Sequence, residues 1–270
     1  MIAFPNAKIN LGLKITQKRT DGFHNLETVF YPVDLCDALE IIKSPNGNTT
    51  FNSSGLDIPG DATGNLCSKA YRLLKGDFDL PHVNMHLHKV IPMGAGLGGG
   101  SSDAAQTLIL LNKLFGLKLS ENQLLDYARK LGADCAFFIL NKPLFAFERG
   151  DVFKELKLDL SGYQIVIIKP DVHVNTAEAF ANLNLISLQQ SLKDVVRQPV
   201  THWKKHLIND FEENIFRKFP EIADIKKTLY EKGAVYASMS GSGSAVYGLF
   251  EKPVDLSSTL KKYFYYSTFI

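Results

Sequence analysis

The segment from residue 92 to residue 103 reads Pro92-Met93-Gly94-Ala95-Gly96-Leu97-Gly98-Gly99-Gly100-Ser101-Ser102-Asp103 and is called the glycine run below. Glycine loses more backbone entropy on folding than any other residue, and it has no side chain to pack. Five glycines in so short a segment are therefore expected only where the backbone must adopt positive φ or approach a ligand closely.

The flanks of the glycine run indicate what it binds. Val83–Ile91 alternates apolar and polar residues, which predicts a strand that Pro92 ends, and Ala104–Phe115 reads as a buried helix. A loop between a strand and a helix gathers backbone N–H groups at the positive end of the helix dipole, which suits a phosphate. Ser101 and Ser102 add hydroxyls for phosphate oxygens or Mg²⁺. The plainer alternative is a flexible loop in which Ser101 caps the helix.

Other nucleotide-binding motifs fit this segment less well. Gly94, Gly96 and Gly99 match the dinucleotide fingerprint, but no acidic residue closes a second strand roughly 20 residues later. The Gly-Lys-Ser/Thr of a P-loop and the His-Arg-Asp and Asp-Phe-Gly elements of protein kinases are missing. A dinucleotide-dependent oxidoreductase and a nucleotide-binding module without catalysis remain alternatives at this point.

The N-terminal strand is the second informative segment. Over Ala7–Thr16, apolar residues alternate with polar ones, which is the period-two pattern of a half-buried strand. Lys8 and Asn10 then lie on the same face. Taken alone, Lys8 is more often a solvated strand lysine than a functional one.

Predicted strands and predicted helices occur in both halves of the chain, which indicates a mixed α+β (α/β) fold. Further strands are predicted at Leu26–Ile42, Gln164–Lys169, Val235–Met239, Ala245–Phe250 and Tyr265–Ile270, and turns over Ser44–Gly60. Further helices are predicted at Asn65–Lys75, Glu121–Leu131, Thr176–Asn182, Phe211–Phe219, Glu221–Lys232 and Leu256–Phe264, with Ser120 and Gly132 capping the second of these. We expect two domains, residues 1–150 and 151–270, with the boundary near Gly150.

Bulk properties narrow the class of protein. The 270 residues carry a formal net charge of +2, which excludes the concentrated basic surface of a nucleic-acid binder. No signal peptide or transmembrane run is recognisable, so we expect no membrane association. The three cysteines, Cys36, Cys67 and Cys135, are far apart and favour a reduced, cytoplasmic protein. His86 with His88, and His202 with His206, are predicted to be structural rather than metal ligands.

Five motifs in chain order carry a resemblance to known proteins. They are Asn6-Ala7-Lys8-Ile9-Asn10-Leu11, Asp21-Gly22-Phe23-His24, the glycine run, Gly132-Ala133-Asp134 and Ser240-Gly241-Ser242-Gly243. The glycine run resembles the phosphate loop of the kinases acting on galactose, homoserine, mevalonate and phosphomevalonate. The full set resembles the 4-diphosphocytidyl-2-C-methyl-D-erythritol kinase family of that superfamily, over nearly the whole chain. Cys135 and Ala136 depart from the Val-Pro that this family often has.

The resemblance implies a fold and a reaction. The fold is a two-domain small-molecule kinase fold with the cleft between an N-terminal ATP-binding and catalytic domain and a C-terminal substrate-binding domain. The γ-phosphoryl of ATP, with Mg²⁺, passes to a tertiary 2-hydroxyl. Residues 92–102 hold the ATP, Asp134 is the candidate general base, and Lys8 lies beside it and keeps that carboxylate ionised. Considered on its own, without the evidence of the other motifs, Asp134 is interpreted as a local helix cap.

The resemblance also implies the substrate contacts. Phe23 stacks on a cytosine, His24 hydrogen-bonds the edge of the base, and Asn10 orients the hydroxyls. Thr176 and Phe180 form the other side of the base pocket, although Phe180 reads equally well as a core residue. The expected partner is a cytidine diphosphate-linked sugar alcohol, with no nucleic acid and no membrane. The protein is expected to be a monomer or a weak homodimer. A mevalonate, phosphomevalonate or homoserine kinase is the nearest alternative, and it would need no base sandwich.

Overall fold

A computed structural model of the chain describes residues 1–175, 179–180 and 190–270. The chain divides into two compact units. The first consists of residues 1–7, 34–93 and 98–142, and the second consists of residues 8–33, 94–97 and 143–270. Each unit is assembled from separate stretches of the chain. The division of function between residues 1–150 and 151–270 stays a prediction.

The first unit contains a four-stranded sheet in the order β1-β4-β6-β5. Its strands are β1 (Ile2–Ala3), β4 (Ala38–Lys43), β5 (Thr50–Gly55) and β6 (Val83–Lys89), and β5 pairs with β6 in parallel. The stretch Ser44–Gly60 contains the predicted turn, at residues 45–46, but the strand β5 within it was not predicted. Its residues are mostly polar and exposed, so the strand is held through its backbone at the sheet edge and has no apolar alternation.

Four helices complete the first unit: α1 (Leu66–Asp77), α2 (Gly99–Phe115), α3 (Glu121–Leu131) and α4 (Ala133–Leu140). Asn65 caps α1, and Ser120 caps α3 as predicted. Ser120 does so within a capping box formed with Gln123, which was not predicted. α2 begins at Gly99 rather than at Ala104, so the last part of the glycine run is already helical.

The second unit holds most of a sheet in the order β2-β3-β7-β8, formed by β2 (Asn6–Lys18), β3 (His24–Cys36), β7 (Leu144–Phe147) and β8 (Val152–Glu155). The predicted strand at Leu26–Ile42 is two strands, β3 and β4, interrupted at Asp37. The prediction that β2 is half-buried was also wrong, because every residue from Asn6 to Leu13 is buried. Within the second unit, a Cβ on Gly12 would lie 2.8 Å from the Leu207 side chain, so chain 192–211 covers part of the strand.

The other sheet of the second unit has the order β10-β11-β9-β12, and all its pairs are antiparallel. It comprises β9 (Gln164–Lys169), β10 (Tyr236–Met239), β11 (Val246–Phe250) and β12 (Phe264–Phe269), beside α5 (Leu192–Val195), α6 (Val200–His206), α7 (Glu212–Lys218) and α8 (Pro220–Glu231). The predicted helix at Leu256–Phe264 is wrong: residues 257–262 form turns. Leu256 and Leu260 reach the core from these turns, and their spacing of four mimics a helix. The predicted helix Thr176–Asn182 lies mostly outside the described residues.

None of the helices in the described part of the chain has both the length and the apolar character needed to cross a bilayer. The His86 and His88 rings share the hydroxyl of Ser54, at 2.9 and 3.0 Å. Residues 1–175, 179–180 and 190–270 contain no group of three or more His, Cys, Asp or Glu side chains arranged to hold a metal ion.

Candidate active site

Within the second unit, the middle of the glycine run is held by backbone hydrogen bonds. Leu97 accepts a 2.9 Å bond from the Lys8 N–H, and Ala95 accepts a 3.1 Å bond from the Ala245 N–H. Gly96 has φ of +77°, and a Cβ there would collide with the Ser240 carbonyl oxygen. Position 96 therefore requires glycine both for its backbone angle and for its close approach to another chain segment.

Lys8 is a buried and oriented cation. Its side chain reaches two acceptors of the second unit, Asn10 Oδ1 at 2.6 Å and the Gly96 carbonyl at 3.1 Å. Its ammonium also lies 4.8 Å from the centre of the Phe30 ring. With only 3% of the residue exposed, Lys8 is not the solvated strand lysine that the sequence alone allows.

Asn10 connects Lys8 to the rest of the second unit. Its Nδ2 donates to Thr28 Oγ1 at 2.9 Å, and its backbone N–H donates to Ser240 Oγ at 3.2 Å. Its carbonyl accepts from the Tyr247 hydroxyl at 2.8 Å. The amide of Asn10 is thus already engaged on both sides, and its contact with substrate hydroxyls stays a prediction.

In the first unit, the end of the glycine run is a helix N-terminus. Gly98 is the left-handed N-cap of α2, with φ of 71°, and its carbonyl accepts from the Ser102 N–H at 2.9 Å. The first N–H groups of a helix have no partner within the helix, so they are available to an anion. Ser102 Oγ is fully buried and has no hydrogen-bond partner in the described part of the chain.

A buried ionic cluster lies beneath this helix start. Lys89 Nζ donates to Asp37 Oδ2 at 2.5 Å and to Asp103 Oδ2 at 2.7 Å. Asp37 Oδ1 also accepts the N–H groups of Val90 and Ile91, at 2.6 and 2.8 Å. The cluster therefore joins the residues just before the glycine run to Asp103, the last residue of the run.

Burial sets the protonation of this cluster. It raises the pKa of the Asp103 carboxyl to about 7, and Lys89 opposes the shift while the Asp37 charge adds to it. The Asp37 and Asp103 charges raise the pKa of Lys89 against the effect of its own burial. Lys89 stays charged, and Asp103 is the member of the cluster that titrates near neutral pH.

Asp134 is half-buried in the first turn of α4, where the helix dipole favours an acidic side chain. The next residue, Cys135, is fully buried. Burial raises the pKa of its thiol to about 11, so it stays protonated.

A cavity of about 200 Å³ adjoins the same helix start in the first unit. Met93, Gly100 and Asp103 line it together with the loop before α1 and the first residues of that helix, namely Ile58, Pro59, Gly60, Asp61, Gly64, Asn65 and Leu66. Its exposed lining is mainly apolar, and Asp61, Asn65 and Asp103 are its polar residues. Such a chamber suits a flat heterocycle attached to a phosphate chain.

Two family profiles match this chain: the GHMP kinases N terminal domain at residues 65–142, and the GHMP kinases C terminal domain at residues 195–265. The chain is 58% identical to the 4-diphosphocytidyl-2-C-methyl-D-erythritol kinase of Bacteroides thetaiotaomicron, over 96% of this chain and 95% of that protein. The chain belongs to the 4-diphosphocytidyl-2-C-methyl-D-erythritol kinase family. The resemblance stated from its motifs is therefore confirmed, and the chain is a small-molecule kinase.

Solved structures agree with this family membership. A crystal structure of 4-(cytidine 5'-diphospho)-2C-methyl-D-erythritol kinase superposes with a TM-score of 0.80 at 33% identity, covering 94% of this chain and 91% of that one. The mevalonate kinase of Methanococcus jannaschii superposes with a TM-score of 0.74 over 99% of this chain and 96% of that one. At 15% identity, this second likeness concerns the fold alone. The predicted mixed kinase fold is confirmed.

The second unit contains Phe23, His24 and Phe180, which are expected to bind the base in this 4-diphosphocytidyl-2-C-methyl-D-erythritol kinase family member. Phe23 is 55% exposed, and the Arg149 guanidinium lies 4.7 Å from its ring centre. The His24 and Phe180 rings stack on each other with centroids 4.9 Å apart, and Phe180 meets Phe211 in a T-shaped contact. One face of Phe180 is therefore covered by His24. The expected contact at Thr176 lies outside the described residues.

Sequence reasoning missed the ionic cluster and the cavity of this family member. One signal was available for Lys89: Val83, Met85 and Leu87 occupy the buried face of β6, and period two places Lys89 next on that face. The cavity offered no such signal, because its lining comes largely from an irregular loop.

Proposed function

We propose that this protein transfers the γ-phosphoryl group of ATP to the 2-hydroxyl of 4-diphosphocytidyl-2-C-methyl-D-erythritol, in the non-mevalonate route to isoprenoid precursors. The observation that carries the proposal is the 58% identity to the named kinase over 96% of the chain. The buried Lys8 beside Gly96 and the glycine-rich start of α2 support it, because they supply what phosphoryl transfer needs: oriented positive charge and an anion cradle.

In this proposal, ATP binds along residues 92–102. The N–H groups at the start of α2 bind its phosphates, and the hydroxyls of Ser101 and Ser102 contact their oxygens. The adenine enters the cavity lined by Met93, Asn65 and Leu66. The family's use of a nucleoside triphosphate and the position of that cavity beside the phosphate-binding helix support this arrangement.

Mg²⁺ accompanies the ATP in the proposal. The ion usually keeps several waters and binds one or two protein oxygens together with substrate phosphates. The buried Ser102 Oγ, which has no hydrogen-bond partner among the described residues, fits that requirement as a hard oxygen ligand at the start of α2. When bound, Mg²⁺ neutralises charge on the phosphate oxygens.

The proposed chemistry is an in-line displacement at the γ-phosphorus. The 2-hydroxyl oxygen forms a bond to phosphorus, the bond from phosphorus to the β–γ bridging oxygen breaks, and ADP leaves. Asp134 accepts the hydroxyl proton as general base. Lys8 stabilises the negative charge that develops on the transferred group. The half-buried position of Asp134 in the first turn of α4 supports its role.

The cytidine part of the substrate is proposed to bind at Phe23, His24 and Phe180, with Thr176 completing the pocket. The exposed Phe23 ring offers a stacking surface, and the stacked His24–Phe180 pair offers a flat wall with a polar edge. Asn10 would orient the hydroxyls of the erythritol part.

We also propose a cytoplasmic location and a small molecule as the only partner, with neither nucleic acid nor membrane bound. Three free cysteines, two of them buried, support a reducing compartment. The expectation of a monomer or a weak homodimer stays a prediction.

The proposal is tested with a panel of acceptors. Purified protein, ATP and Mg²⁺ are mixed separately with 4-diphosphocytidyl-2-C-methyl-D-erythritol, mevalonate, phosphomevalonate and homoserine, and ADP release is followed. We expect turnover with the cytidine-linked acceptor and background with the other three. Turnover of mevalonate with none of the cytidine compound would refute the proposed substrate.

A further inference from the structure

A buried polar network joins the loop before α7 to the turn at Ser240–Ser244, all within the second unit. Its central residues, Asn209 and Glu212, are only 1% and 6% exposed. Buried amides and carboxylates are costly unless their hydrogen bonds are satisfied. Their partners therefore indicate which part of the structure these residues hold in place.

Asn209 spans the entry to the turn. Its Nδ2 donates two bonds of 2.8 Å, to the carbonyls of Met239 and Gly241. Its Oδ1 accepts the Phe211 N–H at 3.0 Å. One amide thus fixes the carbonyls on either side of Ser240.

Glu212 fixes the strand that leads into the turn. Its Oε1 accepts the Met239 N–H at 2.8 Å and the Ser238 hydroxyl at 3.1 Å. Its Oε2 pairs with Lys226 at 2.6 Å, which keeps the carboxylate compensated. Together with Asn209, this carboxylate leaves the backbone around Met239 little freedom to shift.

The Ser240–Ser244 turn also positions Lys8, the candidate catalytic cation. Ser240 Oγ donates to the Gly96 carbonyl at 2.8 Å and accepts the Asn10 N–H at 3.2 Å. The same Gly96 carbonyl and the Asn10 side chain both accept hydrogen bonds from the Lys8 ammonium. A continuous chain of short bonds therefore runs from Asn209 to Lys8.

We propose that Asn209 and Glu212 are positioning residues for phosphoryl transfer: they hold the Ser240 turn, which sets where Lys8 and Gly96 lie. This inference rests on the proposed function for its kinetic consequence. Neither residue contacts the reacting atoms. Misplacing a catalytic group by about 1 Å costs on the order of 100-fold in rate, so loosening the turn acts on turnover.

The test compares Asn209→Asp with Asp210→Ala. Asn209→Asp keeps the acceptor for Phe211 but turns a carboxylate oxygen toward two carbonyls. Asp210 lies in the same segment and is half-buried, but its carboxylate accepts the Ile15 N–H, away from the turn. We expect Asn209→Asp to lower kcat by about 10- to 100-fold with KM for the acceptor within about twofold. We expect Asp210→Ala to keep kcat within about twofold even where it lowers the melting temperature.

A second readout separates this inference from the proposed function. The side-chain amide signal of Asn10 in a ¹H–¹⁵N spectrum reports the turn whether or not the protein turns over any acceptor. We expect that signal to shift in Asn209→Asp and in the milder Glu212→Gln, and to stay in place in Asp210→Ala. Equal loss of kcat in Asn209→Asp and Asp210→Ala, or an unmoved Asn10 signal in both network variants, would overturn the inference. Wild type inactive with every acceptor would instead refute the proposed function.

Discussion

Lys8 Nζ lies 2.6 Å from Asn10 Oδ1, and both side chains are buried on one face of β2. The Gly96 carbonyl is a second acceptor of the same ammonium, at 3.1 Å. These two acceptors are neutral dipoles that orient the ammonium. In the proposed reaction, a cation oriented in this way at the glycine run stabilises charge on the transferred phosphoryl group.

Replacing Lys8 by Met removes that charge and keeps much of the side-chain length. We expect kcat to fall by about 10²- to 10³-fold, the usual effect of losing one oriented donor to a transition-state charge. Steady-state ADP release measures the change. Lys14→Met is the matched control, since Lys14 lies on the same strand and is half-buried. Its kcat should stay within about twofold of wild type, and a loss as large as that of Lys8→Met would remove the special role of Lys8.

Replacing Asp134 by Asn removes the proposed proton acceptor without changing the size of the side chain. We expect ATP to bind with nearly unchanged affinity, by calorimetry, while most turnover is lost, on the order of 10²- to 10⁴-fold. Asp126→Asn, on the exposed face of α3, serves as the control. Unchanged turnover in Asp134→Asn would exclude Asp134 from the mechanism.

Replacing Gly96 by Ala tests the close approach at the glycine run. The new Cβ would collide with the Ser240 carbonyl, so we expect a loss of both thermal stability and ATP affinity. Gly162→Ala is the control, because Gly162 has φ of +90° with nothing within 4 Å of its Cβ position. Both variants carry the backbone cost of about 1–2 kcal/mol for a left-handed residue, and only Gly96→Ala adds the collision. Equal losses of stability would contradict the close approach.

Replacing Asp103 by Asn tests the ionic cluster through its pH dependence. The pKa of Asp103 is raised from 3.8 to about 7, so between these values the folded protein keeps a proton that the unfolded chain has lost. Its contribution to the free energy of unfolding therefore falls as pH rises from about 4 to about 7, and the full penalty applies above that. We expect the stability of wild type to decline relative to Asp103→Asn over this range, by urea titration at several pH values.

Three titratable groups face Asp103, and each could affect the pH dependence of stability measured in that experiment. Lys89 on β6 and Asp37 at the β3–β4 junction belong to the cluster, and Cys67 lies on α1. Burial raises the pKa of the Cys67 thiol, so it stays protonated throughout the measured range. A stability difference between wild type and Asp103→Asn that does not vary between pH 4 and pH 8 would contradict the raised pKa.

The segments with strong local signals were predicted well from the sequence. Ser120 caps α3 as predicted, through a contact to Gln123 three residues along, and the hairpin of β10 and β11 surrounds a Ser-Gly turn. The glycine run indicated a phosphate-binding loop from its five glycines between a strand and a helix, and that role stays a prediction. These features depend on local chemistry, which is visible in a single sequence.

Features that depend on distant partners were not predictable in this way. Lys8 and Asn10 alternate with apolar residues like solvated positions, yet chain segments remote in sequence, including Ser240 and Tyr247, enclose Asn10. Asn209 and Glu212 lie among ordinary polar residues, and only the fold brings them to Met239. The turns after Leu256 show the opposite kind of error. Leu256 and Leu260 are four residues apart, as on one face of a helix, but the segment between them is not helical.

The most direct test of the proposed reaction is the position of the new phosphate in the product. Protein, ATP, Mg²⁺ and 4-diphosphocytidyl-2-C-methyl-D-erythritol are incubated, and the product is examined by proton-coupled ³¹P NMR. The 2-hydroxyl is bonded to a tertiary carbon, which carries no hydrogen. A phosphate attached there therefore shows no three-bond phosphorus–proton coupling. We predict one new monoester signal without such splitting, beside the two diphosphate signals. A monoester signal split by carbinol protons, or no new signal while ADP accumulates, would contradict transfer to the 2-hydroxyl.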